Sequence, residues 1–303
     1  MRIARAFAPG AAAVMALAAL WAAPATARII HEEQSLYSTI LVNKRGPVLC
    51  MQFSIRRDER NQTCMNEQRP REMLFSYTRM MMGSLLLDPQ PERILVIGLG
   101  GGTLPLALDE LLPEATTDVV EIDPAVVRLA REYFAFDPSD RVNVHPKDGR
   151  VFVKRAASEG REYDLIMLDA FNGEYIPEHL MTREFLTEVK ALLADGGVLA
   201  ANTFSLSDLY DHESVTYQAV FGEFFNMKPG ASGNRVILDR KGPLPNRAAL
   251  EARARALEDD LARYGVDAFE LVDLMRTRRD WNQDARVLTD QYSPVNLLRG
   301  RDS

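Results

Sequence analysis

The sequence predicts an α/β protein built on a doubly wound, mostly parallel sheet, with a small antiparallel β unit before it. Three observations support this fold class. From residue 93 onward, short apolar runs alternate with helical segments, which is typical of repeated β-α units. A glycine-rich turn follows the first of these runs. Residues 28–66 instead alternate apolar and polar side chains between turn signals, as antiparallel strands do.

Residues 1–27 have the pattern of a secretory signal peptide. Arg2 and Arg5 form a short basic region, an apolar run covers residues 11–23, and residues 25–27 (Ala-Thr-Ala) form a small-x-small cleavage site. The apolar run is short for a bilayer, and no later stretch reaches the ~18 apolar residues of a membrane helix. We therefore expect an exported protein, periplasmic or secreted, with no stable membrane span after signal cleavage. An uncleaved N-terminal anchor or a misread start codon is the alternative.

Charge and cysteine content limit the partners. A formal net charge of −7 argues against nucleic acid, because phosphate binding requires a basic face. The two cysteines of the chain are Cys50 and Cys64. In an oxidising compartment their spacing predicts a disulfide across a hairpin, whereas in the cytosol they would be unpaired or a redox pair. Two sulfurs and four scattered histidines give no zinc-like spacing, so we expect no metal.

The elements are predicted in the following order. Two strands of the antiparallel unit cover residues 36–42 and 48–53, and a Met-rich helix opens at Pro70 and extends to Leu87. Buried parallel strands are predicted at the apolar runs 94–97, 118–122, 141–145, 163–169 and 197–203. Residues 215–223 and 235–238 supply the last helix and strand of this sheet. Amphipathic helices at 247–264 and 270–275 then precede an irregular tail.

The loop Gly98-Leu99-Gly100-Gly101-Gly102 is the first candidate ligand site. Glycines at this place let the backbone approach a ligand closely, and the next helix offers unpaired N–H groups. Glu121 ends the next strand, about 20 positions on, where a carboxylate can accept hydrogen bonds from ribose hydroxyls. This pairing fits NAD as well as an adenosyl sulfonium compound, and the alternative is that the loop is only a tight turn.

Two further carboxylates are predicted at the same edge of the sheet. Asp148, followed by Gly149, comes after the third parallel strand, where it can accept a hydrogen bond from an adenine amino group. Asp169 ends the fourth parallel strand, where it can deprotonate or orient an amine nucleophile. The structural alternatives are a helix cap for Asp148 and a turn residue for Asp169. Together these residues favour an adenosyl sulfonium compound over NAD.

The chain therefore divides into four predicted segments. Residues 1–27 are the signal peptide, and 28–90 are the N-terminal β unit with its linking helix. Residues 91–245 form a Rossmann-like nucleoside-binding domain, and 246–303 form a C-terminal helical extension and tail.

Four motifs resemble, in order and spacing, those of the spermidine synthase (polyamine aminopropyltransferase) family. The motifs are residues 94–102, residues 120–123, residues 141–142 with 147–149, and residues 163–169. The resemblance covers roughly residues 30–240 and implies a class I methyltransferase-like fold. It also implies a small-molecule amine as acceptor, decarboxylated S-adenosylmethionine or S-adenosylmethionine as co-substrate, and a homodimer.

The resemblance assigns roles to individual residues. It implies that Glu121 binds the ribose, that Asp148 binds the adenine, and that Asp169 is the general base toward the amine. The implied cofactor-binding set also contains glycines, namely Gly98, Gly100, Gly101, Gly102 and Gly149.

The sequence departs from the family on the acceptor side. Gly101 stands where the family loop carries an aspartate that holds the aminopropyl ammonium. The family's acceptor-binding Tyr-His or Tyr-Gln pair is matched here to Phe75 and Ser76, and its second loop aspartate to Asn172. The loss of such groups removes charge complementarity that a diamine needs, which predicts an altered acceptor site.

Three functions remain open at this point. The first is aminopropyl transfer from a sulfonium compound, with Asp169 as base. The second is an S-adenosylmethionine-dependent methyltransferase, because Gly101 leaves room for the aminoacyl end of that compound. The third is a ligand-binding relic of the fold, which export favours because sulfonium cofactors are made in the cytoplasm. Asp290 and Tyr292 in the tail are either site contacts or surface anchors.

Overall fold

The computed structural model describes residues 27–54, 61–170, 177–205, 208–230 and 233–298. The small sheet contains β1 (Arg28–Gln34), β2 (Thr39–Arg45), β3 (Val48–Ser54) and β4 (Asn61–Asn66). The large sheet contains β5 (Arg93–Ile97), β6 (Thr116–Glu121), β7 (Val142–Pro146), β8 (Tyr163–Leu168), β9 (Leu193–Phe204), β10 (Phe225–Met227) and β11 (Asn234–Arg240). The helices are α1 (Ser76–Met81), α2 (Thr103–Leu111), α3 (Pro124–Tyr133), α4 (Gly149–Ser158), α5 (Arg183–Ala191), α6 (Leu209–Phe221), α7 (Arg247–Ala262), α8 (Ala268–Leu274) and α9 (Val295–Leu298). Two 3-10 helices cover Met82–Leu86 and Glu178–Leu180.

Neighbouring strands of the large sheet follow the order β10-β11-β9-β8-β5-β6-β7. Strands β5 to β9 pair in parallel, whereas β11 is antiparallel to both β9 and β10. The chain begins this sheet with β5 in the middle, adds β6 and β7 on one side, and then crosses to β8 on the other. The carboxyl end of β5 is therefore a topological switch point, where open α/β sheets bind ligands. The predicted fold class is confirmed.

Each face of the large sheet has its own apolar layer, because successive side chains of a strand point to opposite faces. Val96 and Met167 pack with the methionine-rich segment and with α7 and α8. Ile97 and Leu168, one position further along, pack against α4, α5 and α6. Burial on both faces explains the continuous apolar runs of these strands.

The segment before β5 differs from its prediction. The sequence predicts a helix opening at Pro70, but α1 begins at Ser76 and continues into a 3-10 helix. The Met73 N–H donates instead to the Tyr264 carbonyl oxygen at 2.9 Å, which ties this segment to the end of α7. Met80 is buried in the layer beneath the large sheet. The helix that we grouped with residues 28–90 thus packs on the large sheet.

The small sheet borders the switch point. Its apolar face packs on α3, as the contact of Met51 with the cluster around Leu129 shows. Cys50 and Cys64 lie opposite each other in β3 and β4, with Cα atoms 4.1 Å apart, and form a disulfide. Thr63, beside Cys64, contacts the glycine loop that follows β5.

The C-terminal region covers the large sheet and then returns to its edge. Asp290 accepts hydrogen bonds from Arg150 of α4 at 2.7 and 2.8 Å. The Tyr292 ring lies 3.6 Å from the Arg286 guanidinium. Both tail residues are therefore anchors rather than part of the glycine-loop site. Within the described ranges, none of the helices combines the length and apolar character needed to cross a membrane.

Candidate active site

The glycine loop lies at the carboxyl end of β5 and packs tightly on its surroundings. Gly98 and Gly102 have φ values of +101° and +81°, which disfavour residues with a side chain. A Cβ on Gly98 would lie 2.2 Å from the Asp169 carbonyl oxygen, and one on Gly102 would lie 2.2 Å from the Phe136 ring. Gly100, by contrast, would make only an ordinary contact of 3.6 Å. The loop thus needs glycine for its own packing, most strictly at Gly98 and Gly102.

Gly101 is enclosed by the small sheet. A Cβ at this position would lie 2.8 Å from Thr63 Oγ1 and 3.2 Å from the Phe134 ring. A longer side chain at residue 101 would therefore displace β4 or α3. Position 101 therefore has no room for a carboxylate side chain, and it also lacks the space that the sequence predicts for the aminoacyl end of S-adenosylmethionine.

Glu121 ends β6 and directs its carboxylate toward the glycine loop. One oxygen accepts the Leu99 N–H at 3.1 Å, and the other accepts the Asp123 N–H at 3.0 Å. Burial raises the pKa of Glu121, and the two backbone donors act in the opposite direction. Because each carboxylate oxygen has two lone pairs, the group can still accept hydrogen bonds from a ligand.

Asp148 and Gly149 lie where α4 begins, one strand further from the switch point. The Asp148 side chain caps α4 by accepting the Val151 N–H at 2.9 Å, so the structural alternative is realised. Its other oxygen lies 2.8 Å from His179 Nε2. Gly149 is buried, and a Cβ there would lie 2.7 Å from the Ile97 side chain. The helix cap does not exclude ligand binding, because the Asp148 oxygen that contacts His179 is accessible.

Asp169 follows β8 directly and contacts two polar side chains. The Tyr77 hydroxyl donates to its carboxylate, and Asn202 Nδ2 donates to Oδ1 at 3.0 Å. Burial raises the pKa of Asp169 to about 7, the two donors lower it, and the charge of Glu121 raises it. A carboxylate with this pKa matches a general base that works near neutral pH.

The side chain of α1 that contacts Asp169 is not one of the two that the sequence predicts. Phe75 is the residue before the helix and Ser76 begins it. The side chain of this helix that reaches Asp169 is Tyr77, with the Phe75 ring stacked 5.9 Å from it. Asn172 lies outside the described residues. Tyr77 thus stands beside Asp169. The acceptor side retains a polar side chain, at a position other than the two that the family resemblance predicts.

Sequence reasoning missed Tyr77 and Asn202. Asn202 carried a usable signal, because it interrupts the apolar run of β9 and is only 8% exposed. A polar amide in such a run requires a partner, and Asp169 is that partner. Tyr77 carried no comparable signal, since aromatic residues are ordinary at helix starts that face a core.

The site is rich in carboxylates and contains no cluster suited to a metal. In the part of the chain that the structure describes, no group of three or more His, Cys, Asp or Glu side chains could hold a metal ion. Glu121 and Asp169 instead lie close enough together for the charge of Glu121 to raise the pKa of Asp169. Such a pair favours a ligand that carries positive charge.

The chain matches one family model and a close relative. The model is the spermine/spermidine synthase domain, and it matches residues 74–226. A polyamine aminopropyltransferase of Vibrio vulnificus is 53% identical over 273 residues, which cover 89% of this chain and 91% of the relative.

Two solved structures resemble this one. A spermidine synthase in complex with the transition state analogue AdoDATO has a TM-score of 0.61 at 22% identity, covering 83% of this chain and 85% of that one. At this identity the match shows the fold. Human methyltransferase-like protein 13 in complex with SAH has a TM-score of 0.56 at 28% identity, covering 69% of this chain and 96% of that one.

Proposed function

Because this transferase belongs to the spermine/spermidine synthase family, we propose that it moves the aminopropyl group of decarboxylated S-adenosylmethionine to a small-molecule amine. The observation that carries the proposal is the environment of Asp169. A carboxylate whose pKa is raised to about 7 stands at the switch point, with a hydroxyl and an amide as its neighbours. That arrangement suits deprotonation of an amine beside a bound nucleoside.

The nucleoside half of the proposed site consists of the glycine loop, Glu121 and Asp148. Glu121 accepts the two ribose hydroxyls, for which its oxygens have free lone pairs beside the Leu99 and Asp123 N–H groups. The backbone of the glycine loop lies beside Glu121, as the bond from the Leu99 N–H shows, and it faces the nucleoside. Asp148 accepts the adenine amino group on the oxygen that His179 now contacts.

The acceptor half consists of Asp169, Tyr77 and Asn202. An alkylammonium must lose a proton before its nitrogen can attack, and Asp169 accepts that proton when it is ionised. Asn202 Oδ1 is buried and has no hydrogen-bond partner among the described residues, so it is available to an N–H of the amine. The new N–C bond forms as the C–S bond breaks, and the electron pair remains on sulfur in methylthioadenosine. Since the leaving thioether is good, alignment does most of the work.

Titration calorimetry tests the nucleoside half. We expect decarboxylated S-adenosylmethionine, S-adenosylmethionine and methylthioadenosine to bind and NAD to bind far more weakly. The transfer itself is tested by release of methylthioadenosine from the decarboxylated compound in the presence of diamines. Binding of NAD in preference to every adenosyl compound would overturn the proposal.

A methyltransferase is the second candidate. It is favoured by the enclosed Gly101, where no carboxylate can select an aminopropyl ammonium, and by the likeness to a methyltransferase-like protein solved with SAH. The altered acceptor site expected from the sequence is not supported, because the relative that is 53% identical is itself a polyamine aminopropyltransferase. Formation of S-adenosylhomocysteine from S-adenosylmethionine, without methylthioadenosine release from the decarboxylated compound, would establish it over the first.

We also propose that the protein is exported and cleaved after Ala27. The support is the basic, apolar and small-x-small order of residues 1–27, together with a disulfide, which persists in oxidising compartments. N-terminal sequencing of protein from the fractionated native host should begin at Arg28 in the extracytoplasmic fraction. An intact Met1 in the cytosol would contradict this prediction.

A further inference from the structure

The C-terminal strap, residues 286–298, returns to the edge of the large sheet beside Asp148. Its Leu288 and Val295 are fully buried in a cluster with Met181 and Leu209. The Leu288 carbonyl accepts the Arg183 N–H at 2.9 Å, which attaches the strap to the start of α5. The strap is thus packed in place by apolar and backbone contacts, and its polar side chains reach both α4 and the 3-10 helix Glu178–Leu180.

Asp290 of the strap is one half of a forked ion pair. Its two oxygens accept from Arg150 Nη1 and Nη2 at 2.7 and 2.8 Å, and Oδ1 also accepts the Thr182 hydroxyl at 2.7 Å. On its other side, Arg150 donates to both oxygens of Glu188 at 2.8 and 2.9 Å. The Arg150 side chain is only 11% exposed. Two carboxylates therefore fix the orientation of one planar guanidinium, the geometry in which arginine is most specific.

The strap also holds the 3-10 helix Glu178–Leu180. Ser293 Oγ donates to the Glu178 carbonyl at 3.0 Å, and Asn296 Nδ2 donates to the Glu178 carboxylate at 3.1 Å. Arg150 reaches the same helix with a 3.4 Å contact to the His179 carbonyl. The strap and Arg150 thus hold this short helix from two sides.

That 3-10 helix forms one wall of the proposed adenine site. His179 Nε2 lies 2.8 Å from Asp148 Oδ2, and the Leu180 methyl groups lie 3.8 Å from the Cβ position of Gly149. Arg150 itself lies in the first turn of α4, two residues after Asp148. The guanidinium therefore joins the two pieces of backbone that face each other across the Asp148 carboxylate.

We propose that the C-terminal strap is a positioning element of the nucleoside site. Asp290, through Arg150 and Thr182, holds the first turn of α4 against the 3-10 helix, and this sets the position of the Asp148 carboxylate that receives the adenine. The inference rests on the proposed function, because it takes Asp148 as the adenine acceptor. Asp290 touches no ligand, so it is a positioning residue.

The test compares two nucleosides that differ at the base. Methylthioadenosine has the amino group that Asp148 accepts, whereas methylthioinosine has an oxygen there. Wild-type protein should prefer the first, and Asp290→Asn should reduce that preference by about three- to tenfold, the effect of one misplaced hydrogen bond. Affinity for methylthioinosine should stay nearly constant. If Asp290 were a purely structural anchor, Asp290→Asn would weaken the binding of both compounds equally.

The control is Asp273→Asn, which breaks another ion pair of 2.7 Å, to Arg247, on α7 and α8 away from the site. It should leave the preference unchanged. Amide hydrogen exchange gives a readout that needs no ligand. In Asp290→Asn the Val151 N–H, which bonds to Asp148 at 2.9 Å, should exchange faster, while α7 should not change.

Each outcome decides the matter. Wild-type preference retained in Asp290→Asn, or Val151 exchange equal to that of wild type, overturns the inference while the proposed function stands. If wild-type protein binds neither nucleoside, the proposed function is overturned and the inference falls with it. Should Asp290→Asn fold poorly, Arg150→Lys is measured in the same way, because it keeps the charge and loses the fork.

Discussion

The nucleoside half and the acceptor half of this site hold their carboxylates by different means. Glu121 is held by backbone N–H groups of Leu99, in the glycine loop, and of Asp123, at the start of α3. Asp169 is held by side chains, Tyr77 from α1 and Asn202 from β9. Backbone donors are the same for any side chain at their position, whereas side-chain donors change with one substitution. The acceptor half is therefore the half that can be altered without rebuilding the loop.

Charge is also distributed differently between the two halves. Burial raises the pKa of both carboxyl groups, and the Asp169 value of about 7 places its titration near neutral pH. Glu121 is oriented by two backbone N–H groups, which suits a binding role. A carboxylate that titrates near 7 suits proton transfer. Substitutions in the two halves should accordingly separate binding from turnover.

Asp169→Asn should have the largest effect. Removal of the base should lower the rate of transfer by about 10² to 10⁴-fold, while affinity for methylthioadenosine stays close to that of wild type. Single-turnover rates and titration calorimetry measure the two quantities. A variant that loses nucleoside binding together with turnover would place Asp169 in the nucleoside half and break the comparison.

The same variant should fold at least as well as wild type. Because the folded-state pKa of Asp169 is raised to about 7 from its ordinary value of 3.8, the ionised carboxylate costs stability at pH values above the unfolded pKa. Stability should therefore fall as pH rises from about 4 to about 7. Asn removes this cost, on the order of 4 kcal/mol at pH 8, and the advantage should vanish near pH 4. Denaturant unfolding at the two pH values checks this.

Removal of the disulfide tests how much the Cys50–Cys64 bond stabilises the small sheet beside the nucleoside half. Cys50 and Cys64 fix β4, whose Thr63 contacts Gly101. The double variant Cys50→Ser, Cys64→Ser should lower the free energy of unfolding by about 3 kcal/mol, as loop-closure entropy predicts for a loop of this length. Reductant should destabilise wild type by a similar amount and leave the double variant unchanged. Two thiols that alkylate freely in native protein would show that no bond forms.

The fold was largely predictable, because the central parallel strands β5 and β8 are mostly apolar runs and the helices between the strands have their own amphipathic pattern. The predictions failed where tertiary contacts decide. The residues from Pro70 to Phe75 have a helical composition, yet Met73 bonds to the backbone of Tyr264 instead. The three-residue strand β10 is too short to carry a pattern.

The site was predictable where its parts are close in sequence or follow the ends of parallel strands, as Asp169 does. The glycine loop and Glu121 belong to one β-α-β unit, so spacing alone places them together. Tyr77, Asp169 and Asn202 meet only after the sheet has formed, and no local pattern records that meeting. The strap contact of Asp290 with Arg150 is of the same kind. The family resemblance is confirmed.

Glu121→Ala should weaken binding of every adenosyl compound by about 1.5–3 kcal/mol, the range for hydrogen bonds to a charged group. Glu121→Gln is the matched control, because its amide oxygen keeps one acceptor for the loop N–H and should cost less. In both variants, the pH dependence of turnover at saturating nucleoside should change only because the Asp169 pKa is no longer raised by the neighbouring Glu121 charge. Equal affinity of wild type and Glu121→Ala for all adenosyl compounds would mean that the glycine loop is only a turn.

Tyr77→Phe should have the smallest effect and the most specific one. The Tyr77 hydroxyl lowers the pKa of Asp169, so its removal should raise that pKa and move the acidic limb of the kcat/KM profile up by about one pH unit, since one unit corresponds to about 1.4 kcal/mol. Activity should fall about tenfold on that limb and recover at high pH, with methylthioadenosine affinity unchanged. Tyr264→Phe is the control, because it removes a 2.6 Å bond to the Glu110 carboxylate outside the site and should leave the profile in place. An acidic limb that stays in place in Tyr77→Phe would show that the Tyr77 hydroxyl does not lower the pKa of Asp169. The two halves would then differ only in where their carboxylates lie.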